Sequence, residues 1–124
     1  MNDGDLRLRR AIFGAFAAGS PLPKADLSSL AAQHVVALEE HGELLMAHPF
    51  ANHTDGARVH SGGRTWWGNC AWDAFGIVAA LRLREATVTA QDLTLRVHDD
   101  RVEGDAVFHV LVPAAHWWDD IAFT

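Results

Sequence analysis

The sequence has one cysteine, one lysine and no tyrosine, and its apolar runs are short. A single cysteine excludes an internal disulfide. The longest apolar stretches, residues 11–19 and 75–81, fall far below the roughly 20 residues that a membrane-spanning helix needs. The formal net charge of -6 is the opposite of what a general polyanion binder carries. We therefore expect neither a membrane nor nucleic acid as a partner.

The remaining composition is that of a globular protein. The chain has 124 residues, of which 49% are hydrophobic and 21% are charged, and this is enough for one domain or for two small subdomains with a common core. The first residues, Met1-Asn2-Asp3-Gly4-Asp5, are acidic where a signal peptide would be basic. The sequence thus predicts a cytoplasmic protein.

The first half of the chain shows the outline of a winged helix. Apolar residues recur at helical spacing over residues 6–18, 24–33 and 35–40. Residues 44–50 and 57–60 then alternate as two strands of a hairpin, joined by the polar loop 52–56. We predict a winged-helix-like N-terminal segment over residues 1–61, with three helices and a hairpin.

The second half is predicted as a central helix packed on a small sheet. A flexible joint, Ser61-Gly62-Gly63, leads to a tryptophan-rich run and then to a helix from Cys70 to about residue 83. Strands follow at 86–88, 93–97 and 106–112, with a turn at Asp99-Asp100, and 117–123 begins another strand or helix. We predict a second unit over residues 62–124 and an α+β fold with a mixed or antiparallel sheet.

Cys70 and Asp73 are the strongest candidates for chemistry. Residues three apart share one face of a helix, so the thiol and the carboxyl would point into the same space. The amide groups of a helix N-terminus lower the pKa of a cysteine, whereas a neighbouring carboxylate opposes that effect. We therefore expect the Cys70 sulfur and the Asp73 carboxyl to share one proton. The alternative is a buried structural cysteine beside a solvated aspartate.

The run Arg64-Thr-Trp-Trp-Gly-Asn-Cys-Ala-Trp-Asp-Ala-Phe75 resembles the signature of the alkylmercury (organomercurial) lyase family. That resemblance covers most of the chain and implies the family's fold. It also implies that two cysteine thiolates take the metal while a proton delivered through an aspartate goes to the carbon leaving group. By match to the motif, Cys70 is the first thiolate and metal ligand, and Asp73 is the acid that handles the proton. Soft thiolates select soft metals such as mercury, so the implied chemistry is physically consistent.

The family's second catalytic cysteine is expected after a stretch that resembles residues 117–124, where this sequence has none. We therefore expect a short family member without that cysteine and without a resident cofactor. His116, Asp119 and Asp120 would be poorer ligands for mercury than a thiolate. An external thiol or a second subunit would then supply the missing ligand.

Aromatic residues near Cys70 are candidates for a substrate pocket. They form two groups, Trp66, Trp67 and Trp72, then Trp117 and Trp118. Such a pocket would suit a small organic or organometallic substrate, although tryptophans also build ordinary cores. Arg64 either positions a ligand carboxylate or makes a structural ion pair. The eight histidines lack compact metal-ligand spacing, and we interpret them as structural or surface residues.

Three functions from different classes remain open at this point. The first is a lyase-like protonolysis of a carbon-metal bond, or a related proton transfer, at Cys70 and Asp73. The second is a non-catalytic binder of a soft metal or an apolar metabolite. The third is a winged-helix regulator, whose recognition helix over residues 34–41 carries acids and no lysine or arginine.

Overall fold

The computed structural model describes residues 1–105, 114–119 and 121 and has an α+β fold. Its helices are α1 (Asp3–Ala18), α2 (Ser28–Ala32), α3 (Ala71–Ala80) and a 3-10 helix (Ala114–Asp119). One antiparallel sheet has the order β1-β2-β3, with β1 at Val36–Leu38, β2 at Leu44–Ala47 and β3 at Phe50–Ala51. The other antiparallel sheet has the order β5-β4-β6-β7-β8. Its strands are β4 (Ala57–Ser61), β5 (Arg64–Gly68), β6 (Glu85–Ala90), β7 (Leu93–His98) and β8 (Arg101–Glu103). Within these described residues no helix is long and apolar enough to cross a membrane.

Local sequence signals set both ends of α1. The Asn2 side chain caps its first turn by accepting a hydrogen bond from the Asp5 amide at 2.7 Å. Gly19 ends the helix in the left-handed conformation, with φ 69°. Asp5 also accepts hydrogen bonds from Ser29 Oγ and Gln33 Nε2, at 2.9 and 3.0 Å, and these bonds lower its pKa. The same carboxylate thus joins α1 to α2.

The helix predicted for residues 35–40 is wrong, because this segment forms strand β1. Val36 is 1% exposed and pairs with Ala47 of β2, so strand pairing and burial override the weak helical spacing. The predicted hairpin is also wrong. Strand β2 pairs with β1 and β3, whereas β4 pairs with β5 and β6 in the other sheet. The DNA-binding alternative therefore loses its predicted recognition helix.

The predictions for the second half of the chain agree better with the structure. The central helix is confirmed as α3, and the strands predicted at 86–88 and 93–97 lie within β6 and β7. Asp99 and Asp100 form the turn after β7, both with positive φ. The predicted joint at 61–63 is the tight turn between β4 and β5. The strand predicted at 106–112 lies outside the described residues, and the domain boundary at 61 stays a prediction.

A shared apolar core joins the two sheets. Helix α3 packs on the larger sheet, and its residues Ala74, Ile77 and Val78 belong to one buried cluster with Val59 of β4 and Val88 of β6. Phe50 of the smaller sheet belongs to the same core and is 2% exposed. Its ring stacks on Phe16 of α1, with the ring centres 5.2 Å apart. The end of β3 and the first turn of α3 are thereby held close together.

Candidate active site at the start of the central helix

Cys70 occupies the N-cap position of α3, and Asp73 lies in the first turn of that helix. The Cys70 backbone is extended, with φ -146° and ψ 178°, and this conformation turns the chain from β5 into the helix. The Cys70 thiol donates a hydrogen bond to Oδ2 of Asp73 over 3.6 Å. The structure thus brings together the two residues that the sequence pattern pairs.

The thiol keeps its proton more firmly than an ordinary cysteine. Burial raises the pKa of Cys70, and the negative charge of Asp73 raises it further. Backbone amides of Asp73 and Trp72 lower the pKa of Cys70, but they do not offset burial, the Asp73 charge and the side-chain hydrogen bond to Asp73, which all raise it. The lowering predicted for a helix N-terminus is therefore outweighed, and the resting sulfur is a thiol that shares its proton with the carboxyl.

His48 is the second partner of Asp73. Its Nδ1 lies 3.2 Å from Oδ1 of Asp73, and the side chains are 34% and 12% exposed, respectively. His48 directly follows β2, and it is 25 residues from Asp73 in the chain. Spacing along the sequence gives no signal for this contact. The only hint is a polar residue that ends an apolar strand.

Two glycines allow β5 to approach the first turn of α3 closely. A Cβ on Gly68 would lie 2.8 Å from the Ala74 amide nitrogen and 2.9 Å from Cβ of Asp73. Gly56 packs against the carbonyl of Gly68 in the same way, because a Cβ there would lie only 2.0 Å from that oxygen. Glycine at both positions therefore allows the close backbone packing that fixes the position of the Asp73 Cα and Cβ atoms.

The described C-terminal residues reach the same region. Trp118 packs edge-on against the ring of His48, with the centroids 5.3 Å apart, and stacks on His34 at 4.6 Å. Asn69, directly before Cys70, donates a hydrogen bond from Nδ2 to the Ile121 carbonyl over 3.2 Å. The structure thus places Trp118 next to the Asp73-His48 pair.

The other predicted pocket residues are distributed over different surroundings. The Arg64 guanidinium and the Trp66 indole both donate to the Ala17 carbonyl at the end of α1, which is a helix-capping role. Trp66 and Trp67 also line a cavity of about 230 Å³ between α1 and strands β3 and β5, and Cys70 is not among its lining residues. Trp72 is 60% exposed on α3, and Trp117 is partly buried in the 3-10 helix.

Cys70 carries the one thiol in the sequence. In the part of the chain that the structure describes, no three His, Cys, Asp or Glu side chains form a group that could hold a metal ion. His116 pairs with Asp119 over 3.2 Å on an exposed part of the 3-10 helix. Asp120 lies outside the described residues. A soft metal would therefore be held first by the Cys70 sulfur.

The sequence and the fold are both similar to those of known proteins. The family model of alkylmercury lyase, MerB, matches residues 50–124. A crystal structure of the mercury-bound form of MerB2 is similar, with a TM-score of 0.64 and 16% sequence identity. That match covers 84% of this chain and 60% of the other, so the chain spans less than two thirds of that protein. No curated protein matches the sequence.

Proposed function

Because the chain belongs to the alkylmercury lyase family, we propose that it cleaves the carbon-mercury bond of small organomercurials by protonolysis. The observation that carries the proposal is the hydrogen bond from the Cys70 thiol to Oδ2 of Asp73. It places a soft ligand and a proton acceptor side by side. The sulfur can then bind the mercury of a substrate while Asp73 protonates its carbon, without a rearrangement of the helix.

The proposed first step is the capture of mercury by sulfur. The S–H bond of Cys70 breaks as the S–Hg bond forms, and the ligand that mercury carried in solution leaves as an anion. The proton passes to Oδ2 of Asp73 along the existing hydrogen bond. The raised pKa of Cys70 holds this proton on the sulfur until a soft cation replaces it. The outcome is an organomercury thiolate beside a neutral carboxylic acid.

The second step is the transfer of that proton to carbon. As the C–Hg bond breaks, its electron pair takes the proton from Asp73, which returns to the carboxylate. The products are a hydrocarbon and Hg²⁺ bound to the Cys70 sulfur. The sequence has one cysteine, so we propose that an external thiol supplies the second thiolate and removes the metal.

The test is the release of hydrocarbon from phenylmercury in the presence of excess small thiol. Wild-type protein should release benzene over many turnovers, whereas Cys70→Ser should fall to the rate of thiol without protein, because a hydroxyl binds mercury poorly. Gas chromatography of the benzene gives both rates. Equal rates for the wild type and Cys70→Ser would contradict the mechanism.

A non-catalytic binder is the second candidate, and it is favoured by the single cysteine. One thiolate can capture an organomercurial while the carbon-mercury bond stays intact. This candidate predicts one phenylmercury bound per chain, with quenching of tryptophan fluorescence and no benzene. Several turnovers per Cys70 would reject it in favour of the lyase.

A further inference from the structure

The two oxygens of Asp73 have different partners on different parts of the fold. Oδ2 accepts the hydrogen bond from Cys70 Sγ, and Oδ1 lies 3.2 Å from Nδ1 of His48. The first partner is the N-cap residue of the helix that carries Asp73, while the second comes from the segment between β2 and β3. An aspartate carboxyl rotates readily about its last bond. A second partner on a separate element therefore fixes which oxygen faces the sulfur.

The chemistry of the pair assigns the proton on the imidazole. An ionised carboxylate only accepts hydrogen bonds, so Nδ1 of His48 is the donor. Nε2 is buried and has no hydrogen-bond partner among the residues that the structure describes. The Trp118 ring packs edge-on against the imidazole. The ring is thus held by packing, and its described polar contact is with Asp73.

We propose that His48 is a positioning residue for the proton transfer, and this inference rests on the proposed lyase function. Its Nδ1–H holds Oδ1 of Asp73, and Oδ2 consequently stays directed at the site where sulfur, mercury and carbon meet. His48 itself exchanges no proton with the substrate. When it is absent, Asp73 still accepts and returns the proton, but its carboxyl is oriented for only a fraction of the time.

The kinetic test compares His48→Leu with His48→Asn, because asparagine places an N–H donor near the position of Nδ1 and leucine does not. With phenylmercury and excess thiol, His48→Leu should lower kcat roughly 10- to 100-fold with little change in KM, as expected for lost alignment. His48→Asn should recover most of that loss. His60→Leu is the matched control, since His60 is exposed on β4 and its ring bonds to Thr65.

Unchanged kcat in His48→Leu, or equal losses in the leucine and asparagine variants, would overturn the positioning role and leave the lyase function standing. No benzene from the wild type would instead overturn the function itself, and the inference with it. Circular dichroism and the unfolding midpoint separate a folding defect from an effect on the reaction.

A spectroscopic test does not depend on turnover. In ¹⁵N spectra of the histidine rings at alkaline pH, neutral His48 should carry its proton on Nδ1 in the wild type. In Asp73→Ala it should carry the proton on Nε2, the form that free imidazole side chains favour in water. A wild-type His48 protonated on Nε2 would overturn the inference, because Nδ1 would then have no hydrogen to give to Asp73.

Discussion

At the scale of single residues, the proposed mechanism depends on how one proton is divided between Cys70 and Asp73. A freely ionised thiolate would bind mercury faster, but it would bring no proton to the carbon. Burial and the neighbouring carboxylate raise the pKa of Cys70, so the proton is already present when the metal arrives. In the proposed mechanism, Asp73 then carries this proton, starting from the hydrogen bond of 3.6 Å between sulfur and oxygen.

Replacing Asp73 by asparagine should make Cys70 easier to ionise. The charge of Asp73 is one of the causes that raise the pKa of the thiol, after burial. In the wild type, alkylation by iodoacetamide should therefore be slow at neutral pH and should rise with a midpoint above that of an ordinary cysteine. In Asp73→Asn the midpoint should move to lower pH, and alkylation at pH 7 should be faster.

The pH dependence of the alkylation rate, followed by mass spectrometry, checks this shift. Asp92→Asn, in the turn between β6 and β7, is a control with the same change of charge. A midpoint that moves equally in both variants, or that rises in Asp73→Asn, would contradict the electrostatic account.

The residues of this site differ in how far the sequence reveals them. Cys70 and Asp73 are predictable because three positions along a helix always correspond to one face. His48 is not, since its contact with Asp73 depends on how β2 is placed against α3. The sign of the Cys70 pKa shift is also not predictable, because the burial that dominates it is a property of the folded chain.

At the scale of elements, the site depends on the close approach of β5 to α3. Gly68 ends β5 and leaves no room for a side chain beside Asp73 and Ala74. Any Cβ there must displace the backbone of the first helical turn, because the nearest atoms are not the ends of flexible side chains. The orientation of Asp73 is therefore coupled to the packing of two elements.

Gly68→Ala and Gly14→Ala should have opposite effects on stability. Gly68→Ala should lower the free energy of unfolding by about 1 to 3 kcal/mol, as overpacking does, and should lower lyase activity because Asp73 moves. Gly14 is exposed in α1 with open space around it. Gly14→Ala should raise stability by about 0.5 to 1 kcal/mol through helix propensity and leave activity unchanged.

Urea unfolding of both variants, with benzene release measured in parallel, gives the comparison. A Gly68→Ala protein with wild-type stability and activity would show that the first turn of α3 tolerates a side chain at this point.

A helix or strand could be predicted where its own residues determine its conformation. It could not be predicted where pairing with another strand determines that conformation. Helix α3 has apolar residues at helical spacing, and it forms over Ala71–Ala80, within the range predicted from that spacing. The segment at Val36–Leu38 is too short to be decided by periodicity, and its pairing with β2 makes it a strand. Strand β8, at Arg101–Glu103, is exposed throughout and gives no apolar pattern to detect.

At the scale of the whole molecule, Phe50 connects the parts that carry the site. It follows His48 by two residues, it is buried in the core that includes α3, and its ring contacts Phe13 and Phe16 of α1. The smaller sheet, the larger sheet and α1 are linked through two buried clusters, and Phe16 packs against both of them. We expect them to unfold together.

Phe50→Ala should lower the free energy of unfolding by about 3 to 5 kcal/mol, because it leaves a cavity in this shared core. Val102→Ala, at a position that is 53% exposed, should change it by less than about 0.5 kcal/mol. Tryptophan fluorescence and far-ultraviolet circular dichroism, followed in urea, should give coincident transitions. Separate transitions for the two signals would contradict a common core.

The pairing of Cys70 with Asp73, the central helix that presents them and the resemblance to the alkylmercury lyases all follow from the amino-acid sequence, because each depends on residues close together in the chain. The tertiary structure decided which residue holds the other oxygen of Asp73, how burial shifts the Cys70 pKa and which strands join which sheet. Helical neighbours follow from a fixed period, whereas contacts between distant segments follow from the packing of the whole core.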